Sequence, residues 1–180
     1  MAEHNRLVAI IFMLVACISS AVASETVNFQ HLSLNSMFPQ ITINGLYQDE
    51  SGVLWIGTKD GVKKYNGNYI ESVNFMGINN WIQSNLVPTI CGDKKGHLYV
   101  NTDYSIIEYD LIKEESRIIF SQPNTQILPS IAFNYGINSL WIGLLDSVYN
   151  YKEGICQAKY KIDSNNLSIS SLKEASDKML

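Results

Sequence analysis

The chain has 180 residues, 46% of them hydrophobic and 17% charged, with ten tyrosines and a formal net charge of −4. Enough apolar material is present to build a packed core, so a disordered segment is excluded. No basic stripe runs along the chain, and nucleic-acid binding finds no support.

The N-terminus reads as a secretory signal. Met1 to Arg6 forms a short polar start, Leu7 to Ile18 an apolar core, and Ala21-Val22-Ala23 an Ala-x-Ala cleavage signature. Residues 1–23 are therefore expected to be removed, with Ser24 opening the mature chain. The apolar core is too short for a comfortable membrane span. Leu14-Val15-Ala16-Cys17 is similar to a bacterial lipobox, and lipidation of Cys17 is the alternative to plain cleavage. Loss of Glu3 and Arg6 together leaves the charge at −4.

From residue 41 onward the chain repeats itself. Leu54-Trp55-Ile56-Gly57 runs on to Tyr65, Leu98-Tyr99-Val100-Asn101 to Tyr109, and Leu140-Trp141-Ile142-Gly143 to Tyr151. The leucines are 44 and 42 residues apart, and each copy closes on a tyrosine eleven residues after its leucine. Eight residues before each leucine stand Leu46, Ile90 and Ala132. Five before stand Asp49, Asp93 and Tyr135, and two before stand Gly52, Gly96 and Asn138. The last three tolerate positive φ, so each segment reads as strand, tight turn, strand. A period of 40 to 45 residues with this strand content predicts an all-β fold of β-propeller blades, four antiparallel strands to each.

In the first repeat the expected strands are residues 41–48, 53–58, 61–66 and 68–75, with Asn66-Gly67 as a hairpin turn between the last two. The three blades should span about 41–75, 86–121 and 128–162. Leu172 and Leu180 repeat the eight-residue spacing, which predicts the start of a fourth blade over 168–180 and an incomplete ring. Residues 24–180 are thus expected to form a partial propeller, from a longer protein or a truncated product. Cys91 and Cys156 fall on inner and outer strands of different blades and are expected to remain unpaired.

Asp49 to Gly67, reading Asp-Glu-Ser-Gly-Val-Leu-Trp-Ile-Gly-Thr-Lys-Asp-Gly-Val-Lys-Lys-Tyr-Asn-Gly, closely resembles the two-component regulator propeller repeat. Phe29-Gln30-His31-Leu32-Ser33 is similar to the opening of sensors built from it. The second copy departs from the pattern at Tyr99, Asn101 and Ser105, the third at Leu144 and Ser147. The resemblance implies a periplasmic sensor of a hybrid two-component system, in which two propellers precede a small β-sandwich, a membrane helix and a histidine kinase. It also implies recognition of glycan fragments and signalling through domains outside this chain. A membrane connection would come through those domains or through lipidation of Cys17. The remaining blades and the kinase domains would be its partners, and no catalysis is expected here.

The strongest enzymatic rival is a sialidase-like propeller. Its carboxylate site needs three arginines, and only Arg117 remains after the signal. No metal, phosphate-loop or nucleophile motif occurs, and no cofactor is expected. A secreted propeller enzyme acting on polysaccharide and a protein-binding scaffold stay open as alternatives.

Trp81 falls between blades, among Asn79, Asn80 and Gln83. A flat apolar ring flanked by amides suits a pyranose, with the ring stacking and the amides bonding hydroxyls. The other reading has Trp81 plugging the crevice between two blades. The turns Lys59-Asp60, Asp103-Tyr104 and Leu145-Asp146 share that face of the propeller as solvated loop tips. Asp60 and Tyr104 join Trp81, Asn79, Asn80 and Gln83 as candidate ligand contacts.

Overall fold

The computed structural model describes residues 42–75, 85–121 and 129–161. The proposed signal, the Phe29–Ser33 segment and the expected start of a fourth blade lie outside them. So do Asn79, Asn80, Trp81 and Gln83.

Among the described residues there are twelve strands and no helix. The first sheet holds β1 (Ile43–Gln48), β2 (Leu54–Thr58), β3 (Gly61–Tyr65) and β4 (Ile70–Ser72). The second holds β5 (Thr89–Gly92), β6 (His97–Asn101), β7 (Ser105–Asp110) and β8 (Glu115–Ser121). The third holds β9 (Ser130–Asn134), β10 (Ser139–Gly143), β11 (Ser147–Lys152) and β12 (Ile155–Lys161). Each sheet runs in chain order, every neighbouring pair antiparallel. The first strands of successive sheets lie side by side, β1 against β5 and β5 against β9. This is the architecture of propeller blades.

Glycine permits that approach. A Cβ on Gly45 would stand 3.2 Å from Ile90, and one on Gly92 would run into the Tyr47 ring. β4 is shorter than its expected span because the hairpin consumes its first residues. Asn66 Oδ1 accepts the amides of Asn68 and Tyr69, at 3.1 and 3.2 Å, before pairing begins.

Two apolar clusters hold the sheets together. Trp55 and Val62 of the first sheet meet Ile90, Leu98, Val100, Ile107 and Tyr109 of the second. Tyr99 and Ile106 of the second meet Ile131, Phe133, Leu140, Ile142 and Tyr151 of the third. Strand alternation sends each aromatic forward and each leucine back. The closing tyrosine of one repeat thus meets the aromatic of the preceding one: Trp55–Tyr109 and Tyr99–Tyr151 lie edge to face at 6.0 and 6.4 Å. Of the repeat residues Leu54, Trp55, Ile56, Leu98, Val100, Leu140, Trp141 and Ile142, six are buried. Leu54 and Trp141 are half-buried, because they point away from the second sheet on the first and third sheets.

Register corrects one alignment. In the first two sheets five residues separate the paired ends Gln48–Leu54 and Gly92–Leu98. In the third, Asn134 pairs with Ser139 across a turn of four. The strand before it is therefore displaced by one residue. Ile131, opposite Ile142, takes the place expected for Ala132, and Asn134 takes the place expected for Tyr135.

Candidate functional site

The turns β2–β3, β6–β7 and β10–β11 lie on one face with the links between sheets. Thr58 shapes the first turn: its hydroxyl donates to the Gly61 carbonyl at 2.8 Å and accepts the Asp60 amide at 3.0 Å. Gly61 adopts φ +93°, which a side chain would strain. Thr102 repeats the device, donating to the Ser105 carbonyl at 2.9 Å and accepting the Ser105 amide at 3.0 Å. Leu144 has no hydroxyl, and the third turn keeps a backbone bond from its amide to Ser147 O at 2.8 Å.

The links are tied to these turns. The Gly61 amide donates to Asn85 O and the Val87 amide to Thr58 O, at 2.8 and 2.9 Å. Asn44 Nδ2 reaches Val87 O at 3.2 Å. A Cβ on Gly57 would collide with Val87 at 2.8 Å. In the next link Pro129 has no amide proton to donate. There Asn101 replaces the glycine, and its side-chain amide donates to Pro129 O.

A cleft of about 280 Å³ opens on this face, over the boundary between first and second sheets. Asp60, Asn74, Asn85 and Thr102 supply its polar groups, Val73, Phe75, Val87 and Ile107 much of its apolar wall. Phe75 and Asn85 are the residues immediately before and after the 76–84 segment that contains Trp81. Asp60 therefore stands in the cleft as an exposed acceptor. Tyr104 is half-buried and does not line it. Asp103, expected at a solvated tip, is buried at 7% exposure, in a turn where Asn101, Thr102 and Ser105 are buried as well. Mixed carboxylate, amide and hydroxyl groups over apolar walls can bond a hydroxylated ligand and shelter its carbon face. Among the described residues no three His, Cys, Asp or Glu side chains gather to hold a metal ion.

The opposite face carries the Asp turns. Asp49 Oδ1 accepts the Ser51 and Val53 amides, both at 3.0 Å, and Oδ2 accepts Trp55 Nε1 at 2.8 Å. Partial burial opposes ionisation of Asp49, but these hydrogen bonds outweigh it and hold the carboxyl below its usual range. Asp93 accepts the Lys95 and His97 amides at 2.7 and 2.9 Å, and His97 Nδ1 lies 2.7 Å from its second oxygen. Asn134 keeps a single such bond, from the Ile137 amide at 3.1 Å. These capping roles escaped the spacing argument. The replacement of Trp55 by Tyr99 was the available signal, since it takes the indole donor away from Asp93.

Pairs at matching positions change sign between sheets. Lys64 bonds Glu71 at 2.7 Å on the first, and Glu108 bonds Arg117 on the second. Arg117 also reaches Tyr151 of the third sheet at 2.8 Å. Burial pushes the Cys91 thiol up to about 12, and both Cys91 and Cys156 are free.

Residues 37–60 match the family described as Two component regulator propeller. This short segment is thus similar to one propeller repeat. Comparison with solved structures agrees with the propeller fold. The extracellular domain of the putative hybrid two component system BT4673 from B. thetaiotaomicron is similar at 19% identity and a TM-score of 0.60, over 77% of this chain and 19% of that one. The extracellular domain of the putative hybrid two component system BT3049 from B. thetaiotaomicron is similar at 21% identity and a TM-score of 0.57, again over 77% and 19%. The computationally designed Ika4 protein is similar at 16% identity and a TM-score of 0.56, over 83% of this chain and 89% of that one. The chain thus spans about a fifth of the length of each extracellular domain. A comparison with curated protein sequences gives no match.

Proposed function

We propose that this chain is part of the periplasmic ligand-sensing propeller of a hybrid two-component regulator, that it recognises glycan fragments, and that it signals across the membrane through domains outside this chain. The observation carrying the reading is the propeller repeat over residues 37–60, in a fold shared with extracellular domains of putative hybrid two component systems. The cleft beside Asp60, Asn74 and Asn85 supports it chemically, because its polar groups suit sugar hydroxyls. Trp81, Asn79, Asn80 and Gln83 remain proposed contacts, as do Asp60 and Tyr104. Binding would shift a conformational equilibrium by its differential affinity for two states, without bond cleavage.

The test is calorimetry with a panel of oligosaccharides against the protein and its Trp81→Ala variant, followed by product analysis. Binding without turnover, weakened by roughly 1–3 kcal/mol in the variant, is the expected result. Unchanged affinity in the variant removes Trp81 from the site. Release of cleaved sugar overturns the sensor reading.

A further inference from the structure

The turn from Asp93 to His97 differs from its counterparts in what it touches. Gly92, the residue just before the turn, lies against the Tyr47 ring of the first sheet, leaving no room for a Cβ. On the other side, the Lys94 ammonium lies 4.7 Å from the centre of the Tyr135 ring, and Lys95 Nζ bonds Asn138 Oδ1 at 2.7 Å, both on the third sheet. Tyr135 returns a hydrogen bond to Gly92 O at 3.1 Å. The turn and the glycine before it are thereby packed against both neighbouring sheets.

Lys94 sits at φ +59°, a left-handed conformation that a side chain adopts at some cost. Its counterpart by spacing, Glu50, is not in that region. Something must hold the turn in this shape. Asp93 is the anchor, buried at 6% exposure, with two backbone amides on one oxygen. Its second oxygen needs a donor, because a carboxylate left short of partners in a buried place is costly. Tyr99 stands where Trp55 supplies that donor in the first sheet, but its ring is stacked on Phe133 at 5.7 Å. His97 stands where the first sheet has Val53 and the third has Ser139, and its Nδ1 proton meets the free oxygen. An ionised carboxylate only accepts, so Nδ1 is the donor.

We propose that the Asp93–His97 pair is the pin of an inter-blade clasp, a conformational device that fixes the Lys94-Lys95 turn and through it couples the first and third sheets. Without the pin the turn relaxes from its left-handed shape, and the contacts to Tyr135 and Asn138 loosen with it. The Asp49 turn, which has its own indole donor, is untouched.

Hydrogen exchange followed by peptide mass spectrometry tests this on the 180-residue chain and its His97→Val and His97→Gln variants. In His97→Val, exchange over residues 93–97 and 135–139 should accelerate about ten- to a hundredfold, the range for one orphaned buried acceptor. Residues 49–53 should exchange as in the parent. His97→Gln keeps a donor of similar reach and should stay near parental rates in all three segments. Unchanged exchange over 135–139 in a folded His97→Val overturns the clasp. If His97→Val unfolds throughout, His97→Gln decides: parental exchange supports the pin, and unfolding or acceleration confined to neither segment overturns it.

Discussion

The first and third sheets carry the same four residues, Leu-Trp-Ile-Gly, on β2 and β10, yet they treat the tryptophan differently. Trp55 is 5% exposed beneath Tyr109 of the second sheet. Trp141 is half-buried and stacks on Tyr160 of its own sheet, at 6.5 Å. The residue and its strand are equivalent, so the difference comes from what lies on the forward face. The second sheet covers Trp55, and among the described residues no further sheet covers Trp141. In a repeat fold, burial belongs to the interface between neighbours more than to the repeat itself.

The sharpest way to break this comparison is truncation. Trp55→Ala should cost about 3–5 kcal/mol, the range for a large core side chain, and Trp141→Ala roughly 1 kcal/mol, near the worth of one aromatic pair. Chemical denaturation of the two variants checks it, and equal losses would place the two tryptophans in the same environment. Close approach gives the next effect. Gly57→Ala should cost about 1–3 kcal/mol, because its Cβ meets Val87 Cγ1 at 2.8 Å and the Val87 backbone cannot retreat freely. Gly67→Ala meets no atom nearby but is strained at φ +96°, so its loss should be smaller, about 1 kcal/mol, in the same assay.

Acid tests the Asp49 turn. The depressed carboxyl of Asp49 contributes stability that is fully present above the ordinary carboxylate pKa of about 4 and is lost as pH falls through its lower folded value. Asp49→Asn should therefore destabilise the chain at neutral pH and converge on the parent in acid, as read from melting temperature against pH. A destabilisation that does not change with pH would show that the charge of Asp49 is irrelevant to its turn. The smallest effect concerns Lys64–Glu71, whose side chains are 36% and 43% exposed. Breaking that pair should cost about 0–1 kcal/mol and matter less in high salt.

Much of the fold was legible because its signals are local. Leu54, Leu98 and Leu140 with their aromatic neighbours mark the second strands, and Gly52, Gly96 and Asn138 adopt the expected positive φ at +86°, +101° and +51°. The register of β9 was hidden. Counting five residues back from Leu140 reaches Tyr135, and only pairing across the shorter turn puts Asn134 in the aspartate's place. Turn position identifies the β2–β3 turn that carries Asp60, but the cleft around it is not legible in sequence, because Asn74, Asn85 and Thr102 come together only through the packing of two sheets. Asp103 was misjudged as solvated for the same reason: the tip of a turn is exposed only when nothing folds over it. His97 escaped notice because its role depends on which donor Asp93 lacks.

The most direct test of this account compares the two tryptophans in the folded chain. Trp81→Phe combined with either Trp141→Phe or Trp55→Phe leaves one indole to report, and iodide quenching measures its access to water. The account predicts that Trp55 is nearly unquenched with blue-shifted emission, and that Trp141 is quenched several-fold more strongly. Equal quenching of the two would contradict it, because the second sheet could not then be covering Trp55 as the neighbouring blade of a propeller.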